Sequence, residues 1–217
     1  MRVHGWDTVK EVYPPSLETV DAIIVSGSPY STYQDLKWIQ RLELYIRYIY
    51  GEHPNIKIYG SCFGHQIICQ ALFGADGAVV EKNNAGWELG VHEIKLSDKF
   101  AARFQDVFMS TSMHLQFLHG DHVILPSENL PNDVYQIGTT PLCPVQGIYQ
   151  PCRLLTFQGH PEFDRFINTE CLKLVGKRVG WEDDYTYSAI LRADAMDDAN
   201  VAADIMISFF LESNVDV

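Results

Sequence analysis

Cys62 has the sequence surroundings of a reactive thiol. It lies at the apex of Gly60–Gly64 (Gly-Ser-Cys-Phe-Gly), between a short apolar β-type run, Ile56–Tyr59, and a helix-like run, Gln66–Phe73. This pattern predicts a strand, a sharp turn and a helix, which together form a nucleophile elbow. The two glycines fit this turn, because a Cβ at either position would crowd the neighbouring strand or helix. Cys62 is therefore the predicted nucleophile.

The predicted turn also explains how Cys62 would react. A thiol at the start of a helix lies near unpaired N–H groups and the positive end of the helix dipole, which favours the thiolate. The N–H of Phe63 would point toward the oxygen that develops charge during an attack by this thiolate. The alternative is a small buried cysteine, which is our interpretation of Cys69 in the apolar helix.

His160 and Glu162 can supply the base that a cysteine nucleophile needs. They follow the strand-like run Leu154–Phe157, so both are expected in the loop at the end of a strand. A proline stiffens the turn between them, and Glu162 can accept a hydrogen bond from His160 that fixes the tautomer of the ring. His119 is the alternative base. Although Asp121 is close to it, no carboxylate lies beside it in a strand-end loop, so His160 is preferred.

Taken together, these motifs resemble those of the class I glutamine amidotransferases. The elbow and the segment Gln158–Phe163 (Gln-Gly-His-Pro-Glu-Phe) look like the Cys-His-Glu triad of that family. Ile23–Pro29 is similar to the strand and loop that supply the second oxyanion donor, and His119–Pro126 is similar to the family's His-Gly-Asp segment. Gly86–Gly90 (Gly-Trp-Glu-Leu-Gly) resembles the free-standing branch that includes the γ-glutamyl peptidases.

The resemblance runs from about Val20 to the C-terminus and implies roles for further residues. The backbone N–H groups of Gly27 and Phe63 would hold the oxyanion, and Gln66 and Ser28 would bind the substrate. The resemblance also implies a flavodoxin-like α/β fold, with a mostly parallel sheet flanked by helices and a cleft at the carboxyl ends of the strands. It implies no cofactor and no metal.

The first twenty residues depart from the pattern of the family. Its members begin with a strand, a helix and a second strand, whereas here only Val9–Val12 is a candidate for a short strand before Pro14 and Pro15. We therefore expect the usual first βα unit to be missing, which would leave part of the sheet uncovered. Self-association is one way in which such an edge is covered.

Hydrophobic periodicity predicts the remaining elements of a single domain that spans residues 1–217. A helix is expected over Tyr33–Tyr50, with Ser31 or Thr32 as its cap. The other predicted helices are Lys99–Phe108, Phe166–Val179 with an apolar stripe of Phe166, Cys171, Leu174 and Val175, and Asn200–Leu211. The other predicted strands are Val20–Val25, Val79–Val80, Val91–Leu96, Val134–Ile137 and Gln146–Tyr149, the last of which should form a hairpin with Leu154–Phe157.

Composition and charge limit the remaining possibilities. Of the 217 residues, 47% are apolar and 20% are charged, as in globular proteins with a sizeable core. The net charge of −12 argues against nucleic acid or an anionic membrane as a partner. Five cysteines without a zinc-binding spacing fit a reducing compartment, and the cytoplasm is the expected location because no signal peptide or membrane-length apolar run is present. The acidic run Glu182–Asp184 is expected to be a solvated turn rather than a metal site.

Three functions are compatible with these motifs. The first is a free-standing hydrolase in glutathione metabolism, in which Cys62 attacks the γ-glutamyl amide of a γ-glutamyl peptide or a glutathione-type conjugate. The second is a glutaminase subunit that supplies ammonia to a separate synthetase. The third is a catalytically silent binding protein of the same fold. The complete triad argues against the third, and the lack of a synthetase domain in this chain weakens the second.

Overall fold

Alternating strands and helices build a central sheet with helices on both faces. The computed structural model describes residues 2–126 and 130–213. Its strands are β1 (Ala22–Val25), β2 (Lys57–Ser61), β3 (Val79–Lys82), β4 (Glu88–Leu96), β5 (Ser112–His119), β6 (Asp121–Ile124), β7 (Tyr135–Gln136), β8 (Gly138–Thr139), β9 (Ile148–Gln150) and β10 (Leu154–Phe157). Its helices are α1 (Lys37–Glu52), α2 (Phe63–Phe73), α3 (Asp98–Arg103), α4 (Arg165–Val179), α5 (Asp183–Ala193) and α6 (Ala199–Leu211). Within the described ranges, no helix has the length and apolar character needed to cross a membrane.

The central sheet brings the two predicted catalytic segments side by side. Its five strands follow the order β1-β2-β10-β9-β7. The first three run parallel, whereas β9 is antiparallel to β10 and β7 is antiparallel to β9. The predicted α/β fold and the predicted hairpin of β9 and β10 are confirmed, and this hairpin makes the sheet a mixed one. Ser61 pairs with Phe157, so β2 and β10 end next to each other.

Alternate residues of β2 and β10 pack into two apolar cores on opposite faces of the sheet. Ile58 and Leu154 belong to the core covered by α1 and α2, and Tyr59 and Leu155 belong to the core covered by α6. This alternation follows from the two-residue period of a strand. The buried face of α1 is Trp38, Ile39, Leu42, Ile46 and Ile49, and that of α6 is Ala202, Ile205 and Phe209.

The loop between β1 and α1 differs from its prediction. Neither Ser31 nor Thr32 caps α1, because the N-cap position is occupied by Leu36, which makes no capping hydrogen bond through its side chain. The hydroxyl of Ser31 donates to the carboxylate of Asp121, and that of Thr32 donates to the side-chain oxygen of Gln70. These two hydroxyl groups therefore tie the loop to β6 and α2.

The acidic run Glu182–Asp184 leads into α5 and is not the predicted turn. Two aspartates occupy the first turn of α5, where carboxylates stabilise a helix through its dipole. Because α5 packs beside α4, it changes the face that α4 buries. Leu172 and Gly176 are buried, whereas Phe166 and Leu174 of the predicted apolar stripe are 72% and 70% exposed.

The N-terminal segment contributes no strand to the sheet within residues 2–21. The possible strand Val9–Val12 is instead part of a turn, with a short 3-10 helix at Thr8–Lys10. Among the described residues, β1 pairs with β2 alone, and Ile24 on β1 is 57% exposed. β1 is therefore an edge strand within the described residues, and self-association through this edge stays a prediction.

Two glycines allow α2 to begin against the ends of β1 and β2. A Cβ at Gly64 would lie 1.9 Å from the carbonyl oxygen of Val25, and a Cβ at Gly60 would lie 2.6 Å from the carbonyl carbon of Gly64. Both distances are far below van der Waals contact. Neither position therefore accepts a side chain, as the sequence predicted.

We expect Gly64→Ala to lower the free energy of unfolding by about 3 kcal/mol or more, because the backbone of β1 must move to make room for the methyl group. Urea denaturation followed by circular dichroism measures this change. Gly51→Ala is the matched control, since a Cβ at this position in α1 meets nothing within 4 Å. Alanine there should stabilise the helix by about 0.5–1 kcal/mol. Wild-type stability in the Gly64→Ala variant would contradict the close packing of α2 on β1.

Candidate active site

Cys62 lies between β2 and α2 in a strained backbone conformation. Its φ of 51° and ψ of −110° are angles that residues other than glycine rarely adopt, and such a conformation costs about 1–3 kcal/mol. Its N–H donates to the carbonyl oxygen of Phe157 at 2.9 Å. The predicted strand, turn and helix are therefore confirmed, and the turn is tied to β10, whose loop carries His160.

Gly27, Cys62 and His160 come together from three separate loops. A Cβ at Gly27 would lie 3.0 Å from Cε1 of His160 and 3.7 Å from Cβ of Cys62. Phe63 is the first residue of α2, so its N–H has no partner in the hydrogen-bond ladder of the helix. Both residues predicted to supply oxyanion donors thus border the predicted nucleophile.

The predicted base and its orienting carboxylate form a hydrogen-bonded pair, in which Nδ1 of His160 lies 2.9 Å from Oε1 of Glu162. The ring of His160 also stacks on the ring of Phe163, with 3.9 Å between the centroids and 7° between the planes. The backbone N–H of His160 donates to the carbonyl oxygen of Gln116 at 2.8 Å. With Nδ1 bound to the carboxylate, Nε2 is the ring nitrogen that is available to Cys62.

The charges of this cluster favour an imidazolium at His160. Burial alone would lower the pKa of His160, but the charge of Cys62, a hydrogen bond with Cys62 and the contact with Glu162 outweigh burial and raise this pKa to about 10. Burial would raise the pKa of Glu162, but the hydrogen bond and the charge of His160, together with a hydrogen bond from Ser61, lower it. The arrangement therefore suits a protonated His160 ring that is bound to the carboxylate of Glu162 and adjoins Cys62.

Gln66 is buried, and both hydrogens of its amide are used within the protein. Its Nε2 donates to the carbonyl oxygen of Asp121 and to Oε1 of Gln158, each at 3.1 Å. Its Oε1 is therefore the atom left to accept a hydrogen bond from a ligand, and an ammonium group suits it. The hydroxyl of Ser28 accepts a long hydrogen bond from the N–H of Tyr30 at 3.4 Å. This contact is local, and substrate binding by Ser28 stays a prediction.

Asp121, to which the sequence analysis gave no role, connects the loop of Gly27 to Gln66. Its carboxylate accepts hydrogen bonds from the hydroxyl of Ser31 at 2.6 Å and from that of Tyr33 at 3.0 Å. Its backbone oxygen accepts the hydrogen bond from Gln66. Its place in the His-Gly-Asp segment was the available sequence signal, but the partners of its carboxylate are about ninety residues away in the chain.

A second pair of a histidine and a carboxylate, absent from the sequence analysis, is buried between β4 and β5. Nε2 of His119 lies 2.9 Å from Oε2 of Glu88, and its Nδ1 lies 2.8 Å from the carbonyl oxygen of Asp121. This carboxylate comes from the paired strand and not from a strand-end loop, so the sequence around His119 did not indicate it. His119 thus contacts two groups of the protein, the carboxylate of Glu88 and the backbone of Asp121, and His160 remains the predicted base.

Glu88 is fully buried and surrounded by hydrogen-bond donors. The hydroxyl of Thr140 donates to its Oε1, and the amide of Gln146 donates to its Oε2 at 2.7 Å. Burial would raise the pKa of Glu88, but the contacts with His119, Thr140 and Gln146 outweigh burial and lower it. Glu88 is therefore a buried carboxylate whose charge depends on its partners.

We expect Glu88→Gln to lower the free energy of unfolding by about 3 kcal/mol at pH 7, because an amide nitrogen in place of one carboxylate oxygen leaves a buried donor without its acceptor. The folded-state pKa of Glu88 is below its ordinary value of 4.5. The stabilising contribution of its charge is thus present above pH 4.5 and is lost as the pH falls through the folded-state pKa. The difference between wild type and variant in urea denaturation should therefore shrink below pH 4.5.

The control for this experiment is Glu93→Gln, which changes an exposed carboxylate on the same strand. It should alter the free energy of unfolding by less than about 0.5 kcal/mol at either pH. A Glu88→Gln variant as stable as the wild type at pH 7 would show that the pair with His119 does not stabilise the fold.

Known proteins resemble this chain in sequence and in fold. The family model for class-I glutamine amidotransferases matches residues 1–170. A glutamine amidotransferase-like protein of Schizosaccharomyces pombe is 30% identical over 204 residues, which cover 94% of this chain and 75% of the relative. Gamma-glutamyl peptidase 3 of Arabidopsis thaliana is 28% identical over 162 residues, which cover 73% of this chain and 61% of the relative. A solved glutamine amidotransferase of Thermotoga maritima aligns with a TM-score of 0.72 at 17% identity, over 95% of this chain and 86% of that one.

The chain spans three quarters of the length of the Schizosaccharomyces pombe relative and less than two thirds of the Arabidopsis one. Each match therefore concerns only the aligned part of the relative. The structural likeness confirms the flavodoxin-like fold. The family match extends over most of the chain and includes both the elbow and the His-Pro-Glu segment. By sequence and by fold, this chain belongs to the class I glutamine amidotransferase family.

Proposed function

We propose that this chain is a cysteine-dependent hydrolase that cleaves the γ-glutamyl amide bonds of γ-glutamyl peptides or glutathione-type conjugates. One observation carries the proposal: Cys62 and His160 meet beside Gly27 at the carboxyl ends of neighbouring strands, and Glu162 binds the other ring nitrogen of His160. Similarity to a protein named γ-glutamyl peptidase supports the substrate class.

The reaction follows from the chemistry of these groups. The sulfur of Cys62 attacks the γ-carbonyl carbon, and the N–H groups of Gly27 and Phe63 stabilise the oxyanion. His160 holds the former thiol proton and gives it to the nitrogen of the leaving amine as the C–N bond breaks, which leaves a γ-glutamyl thioester. Neutral His160 then takes a proton from water, which attacks the thioester and releases the free acid. Glu162 orients the ring and stabilises the imidazolium.

We assign to Gln66 the binding of the amino-acid end of the substrate. Its amide is held by Asp121 and Gln158 so that its oxygen remains as the free acceptor. The α-ammonium group of a γ-glutamyl compound is a donor of the matching kind. Ser28, in the same loop as Gly27, is the second residue that we assign to substrate binding.

A second candidate function is a glutaminase subunit that passes ammonia to a separate synthetase. The apolar face of α4 favours it, because Phe166, Ile167 and Leu174 are 72%, 39% and 70% exposed. Phe166 follows Glu162 closely in the chain, so a protein that covered this face would lie near the proposed active site. The two candidates share the attack on a γ-glutamyl carbonyl and differ in the leaving group.

The test is the release of glutamate by the purified protein alone from γ-glutamyl-cysteine, glutathione, a glutathione conjugate and glutamine. We expect faster release from the peptides than from glutamine. Cys62→Ala should abolish release, and Cys62→Ser should lower it by about 10⁴-fold or more, because a serine hydroxyl is not ionised at neutral pH. Cys69→Ala, which changes a buried cysteine of the same helix, is the matched control and should retain activity.

Two other results would change the assignment. If glutamine were hydrolysed only after a second protein was added, and no peptide released glutamate, the chain would be a glutaminase subunit. If a protein with a folded circular dichroism spectrum released glutamate from none of the four compounds, it would be a binding protein of the same fold.

A further inference from the structure

We propose that Ser61 is a positioning residue of this site, which holds Glu162 in place and, through Glu162, orients His160. Ser61 is the last residue of β2 and directly precedes Cys62. The inference rests on the proposed cysteine mechanism, because it concerns the geometry of the same three groups.

Ser61 and His160 share one oxygen of Glu162. The hydroxyl of Ser61 donates to Oε1 at 3.0 Å, and Nδ1 of His160 lies 2.9 Å from the same atom. Ser61 is 2% exposed, whereas the side chain of Glu162 is 45% exposed. Packing alone therefore does not immobilise the carboxylate. The buried hydroxyl supplies a fixed donor, while His160 is the group that has to be oriented.

The position of Ser61 in the sheet fixes its hydroxyl relative to Cys62. Ser61 pairs with Phe157 at the end of β10, and the next residue, Cys62, donates its N–H to the oxygen of the same phenylalanine. Ser61 is therefore rigid with respect to Cys62, and its hydroxyl reaches across to the loop that follows β10. The bond sets the spacing between the nucleophile and the pair of His160 and Glu162.

Loss of the Ser61 hydroxyl should make the protonated form of His160 less stable. Without Ser61, the half-exposed carboxylate of Glu162 is free to turn into solvent, so the ring of His160 loses its charged partner for part of the time. A protonated His160 then becomes less favourable beside the Cys62 thiolate. The reactivity of Cys62 should therefore fall, and it should fall most at mildly acidic pH.

Alkylation of Cys62 by iodoacetamide tests this without any substrate. The rate is measured by peptide mapping between pH 5 and pH 9, for the wild type and for Ser61→Ala. We expect the acidic limb of the profile to move to higher pH by about one unit in the variant, so that alkylation at pH 6 is about tenfold slower, since one pH unit is a tenfold change in proton concentration. The kcat for a γ-glutamyl peptide should fall by a similar factor with KM little changed.

A pair of variants with equal shape separates the hydroxyl from the fit of the side chain. Ser61→Thr keeps the hydroxyl and should retain the wild-type profile. Ser61→Val has the shape of threonine without the hydroxyl and should show the shift of Ser61→Ala. This comparison remains informative if the alanine variant folds poorly.

Two further variants test whether Ser61 acts through Glu162. In a Glu162→Ala background the acceptor is absent, so adding Ser61→Ala should produce no further shift. Ser97→Ala is the control. It removes a partly buried hydroxyl that donates to the carbonyl oxygen of Gln136 at 2.6 Å and caps α3. It should leave the profile unchanged even though it removes a cap.

Three results would overturn the role of Ser61: a Ser61→Ala profile that coincides with that of the wild type, equal profiles for Ser61→Val and Ser61→Thr, or a full shift in the Glu162→Ala background. A different result tests the mechanism itself. If Cys62 of the wild type reacts no faster than Cys171, the cysteine mechanism fails and the role of Ser61 fails with it. If Cys62 is alkylated fast and at the same rate in the wild type and in the Ser61 variants, only the positioning role of Ser61 is refuted.

Discussion

The close contact between the start of α2 and the end of β1 is the constraint on which the site depends. The backbone of Gly64 lies so near the carbonyl oxygen of Val25 that a methyl group would not fit between them. This contact leaves the chain before Gly64 little room to turn, and Cys62 takes up the turn with a φ of 51°. The cost, about 1–3 kcal/mol, is offset by the burial of α2, in which Ile67 and Ile68 have no exposed surface. The thiol is thereby held where the loops after β1 and β10 begin.

Two histidine–carboxylate pairs differ in ways that fit a catalytic role proposed for one of them and a structural role for the other. Glu88 and His119 are both buried, and Glu88 also accepts hydrogen bonds from Thr140 and Gln146, so these contacts join the paired strands β4 and β5 to the segment of Thr140 and Gln146. Glu162 is half-exposed, and His160 has a ring nitrogen that is not bound by the carboxylate. A proton on the ring of His160 is therefore able to move to Cys62 or to a group bound beside it. The two pairs consist of the same side-chain types, but only the pair of His160 and Glu162 is partly exposed. This difference in exposure is what suits it to the proposed reaction.

Local patterns were readable from the sequence, and contacts between distant strands were not. The glycines on both sides of Cys62 follow from steric rules that act within a few residues, and the alternation in β2 and β10 follows from the period of a strand. Glu88 and His119 meet because of the register between β4 and β5, which neither segment specifies by itself. The start of α5 was misread because aspartates are common both in solvated turns and in the first turn of a helix. Ser61 looked like a turn residue, since its partner Glu162 is 101 positions away.

The charge pattern around His160 also bears on the order of proton transfers in the proposed reaction. Its pKa of about 10 rests largely on the negative charge of Cys62. When the sulfur attacks the carbonyl carbon, this charge moves to the oxygen between the N–H groups of Gly27 and Phe63. The pKa of His160 must then fall, so the ring becomes a stronger acid at the moment when the amine needs a proton. After the amine has left, the sulfur is an uncharged thioester and His160 is neutral, which is the state that can activate water. The return of the negative charge to Cys62 on hydrolysis then restores the imidazolium. In the proposed reaction, His160 is thus protonated when the sulfur is negatively charged and neutral when it is not, while Ser61 and Glu162 keep the ring in place.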